Sequence, residues 1–174
     1  MRPLVSLTAL ALSASLSVPA FAQKMDNNDA AAMKQLAQAN LNEIAAGKTA
    51  AAKAQSPDVK SFGQKMVDDH SKMLGELKSL AKTKGVALPQ DAAVKDMAQM
   101  KLMERKSGAD FDREYVEHMV KDHEKDLKDV QDIAAKAKDP QFKAAVQNVI
   151  PTIRSHYELA QRLSKSAAAG STKK

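Results

Sequence analysis

The sequence predicts an all-α domain: a four-helix bundle with a long crossover, containing a short helix, between the second and third long helices. Three observations predict it. Helix formers such as Ala, Lys, Gln, Met and Leu dominate, and only 6 Gly and 6 Pro occur in 174 residues, a composition that favours helix nearly throughout. Apolar side chains recur at three- and four-residue intervals along four long segments, the period of a helix that turns one face to a core. Two corners, Ser56-Pro57 and Asp139-Pro140, each put a capping residue before a Pro suited to the first helical position. The four segments therefore read as two tight hairpins.

Residues 1–22 stand outside that domain. Arg2 supplies a positive start, residues 4–18 carry no charge, and Ala20-Phe21-Ala22 is a small-x-small cleavage signal. The segment reads as a secretory signal peptide cut after Ala22, so the mature protein is expected to be exported. Residues 23–28 read as a flexible N-terminus, 29–165 as the bundle and 166–174 as a disordered tail of small and polar residues. The chain has no Cys, so disulfides, thiol catalysis and a lipid-modified cysteine are excluded.

The first helix is expected from caps at 26–29 to about residue 55, with Gly47 as an interruption. Its apolar positions are Met33, Leu36, Ala37, Leu41 and Ile44, with Asn40 a polar exception on the same stripe. The second runs from Pro57 to about Lys84, where Gly85 ends it. Residues 91–105 form the short helix of the crossover. Asp110 caps the third helix, expected over 111–138. The last begins at Pro140, and Pro151 inside its stripe is expected to kink it. A connection of about 25 residues between hairpins suits a traverse along the bundle, which would make the second and third helices parallel.

A formal net charge of +6 is mild and favours at most weak contact with anionic envelope surfaces. Basic residues are interspersed with acidic ones, and Trp is absent, so no stacking platform for nucleic acid is indicated. No run after residue 22 approaches membrane-spanning length. No Gly-rich phosphate loop or nucleophile elbow is present.

The chain writes Met66-Val-Asp-Asp-His70 and Met119-Val-Lys-Asp-His123 on matching stripes. Two amphipathic helices explain the shared apolar positions, but not a His inside each stripe at one offset. Residues equidistant from a tight turn face each other. Around Ser56/Pro57 that pairs His70 with Glu43, and around Asp139/Pro140 it pairs His123 with His156. With the second and third helices parallel, Glu43, His70, His123 and His156 share one layer at mid-bundle, His70 and His123 at stripe centres, His156 toward an edge and Glu43 at the margin. Three imidazoles and a carboxylate suit Zn, Cu, Fe or Ni. Satisfied core histidines give the same pattern. Asp69 and Asp122 lie 100° away on their helices, placed to support ligands from a neighbouring helix or to be solvated. His118 points elsewhere, toward the surface. Met97, Met100 and Met103 could offer sulfur to Cu(I), but their spacing reads as an apolar stripe covering the bundle.

The motifs Asn42-Glu43-Ile44 with Gly47, Ser56-Pro57, Val59-Lys60-Ser61-Phe62, Met66 to His70, Phe111-Asp112 with Tyr115, and Val120 to His123 resemble the bacterial family called domain of unknown function 4142. The likeness covers about residues 29–163. It implies a ferritin-like fold and an exported or outer-membrane protein, without an established activity. Carboxylate-bridged di-iron bundles use Glu-x-x-His, whereas Val67, Val120 and Ile153 precede the histidines here by three residues. Ferroxidase and oxygenase chemistry is not carried over.

Three functions follow. The leading one is an exported helical bundle with a non-catalytic binding or stress-associated role, which the missing catalytic motifs favour. The alternative is a periplasmic metal-binding bundle using His70, His123 and His156, with Glu43 as a fourth candidate. The third is a metal-dependent oxidoreductase.

Overall fold

The computed structural model describes residues 25–171. Five helices occur among them and no strand: α1 (Asn27–Lys53), α2 (Pro57–Lys84), α3 (Val94–Met103), α4 (Gly108–Lys136) and α5 (Pro140–Ser171). The expected signal segment lies outside the described residues. None of the described helices is long and apolar enough to cross a membrane.

The α1/α2 and α4/α5 hairpins form as expected, and α2 against α5 and α1 against α4 join them. Short α3 lies against α1 and α4. Two aspartates fix the relative direction of the hairpins. Asp112, at the start of α4, accepts from the backbone N–H groups of Gln55 (2.9 Å) and Ser56 (2.7 Å). Asp29, at the start of α1, accepts from those of Lys138 (3.0 Å) and Asp139 (2.7 Å). The start of α4 therefore sits at the α1/α2 turn and its end near the start of α1, so α4 runs parallel to α2. The Lys84–Asp139 ion pair at 2.6 Å ties the ends of α2 and the α4/α5 turn together.

Each Asp thus satisfies two amides at a corner of the other hairpin. Ser56 holds the N-cap position of α2, yet its side chain makes no capping bond. Asp139 does cap, accepting from Gln141 and Phe142. Asp112 is 5% exposed, and its loss would strand two partly buried N–H groups. Asp112→Ala is expected to cost about 2–4 kcal/mol on that ground, read as a lower urea midpoint with unchanged slope. Asp110→Ala, at an exposed first-turn residue, should change stability by about 0.5 kcal/mol or less.

Several bounds differ from the sequence expectation. Helix α1 begins two residues early because Asp26 caps it through Asn28 N–H, and Met25 is buried. Ser107, not Asp110, is the N-cap of α4; Gly108 precedes Asp110 at φ 60°, and Asp110 pairs with Arg113. Helix α5 continues to Ser171, through part of the segment expected to be a disordered tail; its Ala167 to Ala169 run has high helix propensity. Pro151 leaves the Gln147 carbonyl without its usual donor, but the helix is unbroken.

Gly47 does not interrupt α1. It faces Gly63 of α2 at a backbone approach so close that a Cβ on Gly47 would lie 2.7 Å from the Gly63 carbonyl oxygen. Apolar packing falls into two clusters. One gathers Phe62, Met66, Phe111, Tyr115 and Met119; the other gathers Met33, Leu74, Leu77, Phe142 and Val146. Met100 and Met103 of α3 are buried with the first, while Met97 is 44% exposed, so two of the three methionines serve packing.

Candidate metal centre

Between the two clusters lies a layer of polar side chains. His70 follows Met66 by one turn on α2, His123 follows Met119 on α4, and His156 follows Ile153 on α5, so each helix passes an imidazole through the core. His70, His123 and His156 are 2%, 0% and 0% exposed. Their ring centroids stand 5.3–5.8 Å apart. One nitrogen from each lies within 4.8 Å of the other two.

The remaining nitrogens are fixed. Asn40 donates its side-chain amide to the Leu36 carbonyl at 2.7 Å, which turns its Oδ1 to His70 Nδ1 at 3.0 Å. His123 Nδ1 lies 3.0 Å from the Met119 carbonyl one turn earlier. His156 Nε2 lies 2.7 Å from the Asp69 carboxylate. All three partners are acceptors, so each of these ring nitrogens carries the proton and donates it. The other nitrogen of each neutral ring is then a bare acceptor. Those are His70 Nε2, His123 Nε2 and His156 Nδ1, and all three are buried without a hydrogen-bond partner among the described residues.

Electrostatics keep the rings neutral. Burial pushes the His70 pKa well below its ordinary value, and the neighbouring His123 and His156 push the same way. Burial lowers His123 to about 3, with His156 adding and the Met119 carbonyl opposing. Burial also lowers His156, against the Asp69 carboxylate. For Asp69 burial works upward, but hydrogen bonds from Lys65 and His156 outweigh it and hold the carboxyl below its usual range. Both partners therefore describe one state, a neutral imidazole donating to a carboxylate. A cavity of about 90 Å³ bounded by Asn40, His70, Leu77, Val146 and Ile153 lies beside the layer.

The expected residues divide. His70, His123 and His156 come together, and His156 is as deeply buried as the others rather than edge-placed. Glu43 is buried, at 5% exposure, but it is not in the three-His group. It lines a different cavity with Asp96, Asp122 and Asp126; the α1 residue that meets His70 is Asn40. Asp69 supports His156 from the neighbouring helix. Asp122 instead pairs at 3.0 Å with His118, which is half-buried rather than at the surface. The sequence flagged Asn40 as a polar residue in an apolar stripe, and that oddity was the available signal. In the sequence Asp112 stands only within a family motif and Asp29 only as a cap candidate; their actual partners lie on the other hairpin, which no local signal shows.

Burial raises the Glu43 carboxyl well above its usual range, and the negative charges of Asp126, Asp122 and Asp96 push it further. Burial likewise lifts Asp126 to about 7, with Asp122 and Asp129 adding and Lys125 opposing. A carboxyl whose folded pKa exceeds its unfolded value stabilises the fold at low pH and loses that contribution as pH rises through the folded pKa. Against wild type, Glu43→Gln is expected to match near pH 4 and to gain relative stability above it, at up to about 1.4 kcal/mol per pH unit. Urea unfolding at pH 4, 6 and 8 reads this; a constant difference at all three would refute it.

The sequence model of a family described as a domain of unknown function, DUF4142, matches residues 8–163. Among solved structures, a protein of Bacillus halodurans C-125 described as a spore coat protein is similar, with a TM-score of 0.70 at 14% identity, over 84% of this chain and 91% of that one. At that identity the likeness shows the fold alone. No curated protein matches the chain.

Proposed function

The chain belongs to the family of domain of unknown function 4142, and we propose that it is a metal-binding helical bundle in which His70, His123 and His156 hold one transition-metal ion. One observation carries the reading: three buried imidazoles each bring a nitrogen within 4.8 Å of the other two, and each ring has one nitrogen held by an acceptor and one bare. Three acceptors and no donor repel one another. A water could donate to two of them at most, and a proton would place a full charge where burial already disfavours it. A cation with empty orbitals satisfies all three at once.

The outer partners support this. A metal-bound His commonly donates its second nitrogen to a carboxylate, carbonyl or amide oxygen, which fixes the tautomer and ring direction. Asp69, Met119 and Asn40 supply those three kinds of acceptor. Neutral imidazoles suit Zn, Cu, Fe or Ni. Bonds of about 2.0–2.1 Å at tetrahedral angles would draw the nitrogens to ~3.4 Å of one another, so binding pulls the rings inward by about an ångström. Three protein ligands also leave a position for a water or a small ligand.

The same proposal takes the architecture as a four-helix bundle of ferritin-like connectivity, the parallel α2 and α4 being its supporting feature. It takes the protein as exported to the periplasm on its N-terminal segment. The reading is of metal binding, and di-iron chemistry is left out of it because the Glu-x-x-His pattern is missing from all three helices. Elemental analysis of untagged protein, loaded with Zn(II), Cu(II), Ni(II) or Fe(II) and desalted, tests the reading. One metal per chain is expected. Less than about a tenth of an equivalent for all four would leave three core histidines and a non-catalytic helical protein.

A further inference from the structure

The cavity that holds Glu43 has none of His70, His123 and His156 in its lining, although it shares Gln35, Ala39, Lys125 and Asp126 with the cavity beside them. It measures about 350 Å³ and opens to solvent between α1, α3 and α4. That is near the lower end of small-molecule sites, roughly 300–1,000 Å³. Four carboxyl groups from the three helices line it: Glu43, Asp96, Asp122 and Asp126. Lys125, the cation on its wall, is engaged by Asp129 at 2.6 Å. His118 is engaged by Asp122. Glu43 gives the independent sign of a ligand: it is 5% exposed, and its Oε2 has no hydrogen-bond partner among the described residues.

The arrangement also selects the ligand's shape. A bare metal ion needs several oxygens converging on one point. Here no three carboxyl groups among the described residues bring oxygens within 4.8 Å of one another. Met100 and Met119 add an apolar share to the lining. Carboxyl groups that do not converge, in a lining with apolar methionines, fit a short methylene chain with an ammonium group at each end, each ammonium drawing the proton off the carboxyl it meets. We propose that this cavity binds a small aliphatic diammonium ion, with Glu43 and Asp126 as the principal partners of its charged ends.

Calorimetric titration of the metal-free protein with 1,4-diaminobutane, butylamine and magnesium chloride tests this. The diamine is expected to bind one per chain. Butylamine, which lacks one charged end, should bind at least about tenfold more weakly. Glu43→Gln and Asp126→Asn should each weaken the diamine by at least about tenfold. Both are near-isosteric, and circular dichroism with urea unfolding verifies that they fold. Absence of saturable diamine binding would overturn the proposal. So would unchanged affinity in both folded variants, or a preference for magnesium over the diamine. The titration uses metal-free protein, so its failure leaves the histidine centre standing, and failure of that centre leaves the titration unaffected.

Discussion

Replacing His70 and His123 together by alanine is expected to abolish metal retention. Structural zinc sites with four ligands gain about 10–16 kcal/mol. An even share puts the loss of two ligands near a 10⁴- to 10⁶-fold weaker affinity, at about 1.4 kcal/mol per decade. The residual His156 would hold metal no better than a surface imidazole. Asp69→Ala and Asn40→Ala leave all three ligands in place but free the rings they orient. Each should weaken the metal by about 10- to 100-fold. Cobalt(II) gives a second readout, since a four-coordinate site yields intense visible bands that a hydrated ion lacks. If the histidines serve packing alone, the double variant would instead lose about 2–5 kcal/mol of stability with no change in metal content. That outcome, with Asp69→Ala equally silent on metal, would end the metal reading.

The second large effect is mechanical. A Cβ on Gly63 would lie 2.7 Å from Ala51 N, 2.8 Å from Ala50 Cβ and 2.9 Å from Gly47 O. Two of those three atoms are backbone, so no rotamer change relieves the clash and α1 must move off α2. Helix propensity alone would reward Gly→Ala by up to about 1 kcal/mol, while overpacking costs about 1–3 kcal/mol or more. With two backbone atoms under 3.0 Å the upper end of that cost applies, so Gly63→Ala is expected to lose a net of about 2 kcal/mol or more. Gly75 is the internal control, on the same helix with nothing within 4 Å of its would-be Cβ. Gly75→Ala should gain about 0.5–1 kcal/mol. Thermal unfolding of the two variants would move in opposite directions; a shift of the same sign in both would refute the close-approach account. The displaced α1 would also carry Asn40 away from His70, so Gly63→Ala should weaken metal binding although it touches no ligand.

The glycine contact explains why Asn40, and not Glu43, stands opposite His70. Mirror counting about the Ser56/Pro57 corner sets Glu43 opposite His70. In the structure Gly47 meets Gly63 and Asn40 meets His70, and both pairs are symmetric about Gln55. The centre about which α1 and α2 meet therefore lies earlier than the Pro, where the Gly47–Gly63 approach sets the height of α1 against α2. That offset moves the facing residue on α1 by three positions, from Glu43 to Asn40. The α4/α5 corner has a link of the same length, between Lys136 and Pro140, yet His123 and His156 do meet there, with ring centroids 5.4 Å apart, so link length alone does not set which residues face.

The sequence by itself determined what is local: helix-forming composition, the two Pro-marked corners, and the 3.6-residue period that sends His70 and His123 inward. Those signals act over one to four residues and need no partner. Only the tertiary structure decided what depends on distance between chains of contacts. It chose Asn40 over Glu43, gave Asp69 to His156, placed Asp112 and Asp29 on the opposite hairpin's amides, and set Glu43 among three aspartates in a second cavity. The physical reason is that helix period fixes which face a residue occupies, while the height at which two faces meet follows from the closest backbone approach. Here that approach is two glycines, and their lack of side chains is visible in the sequence only as a gap.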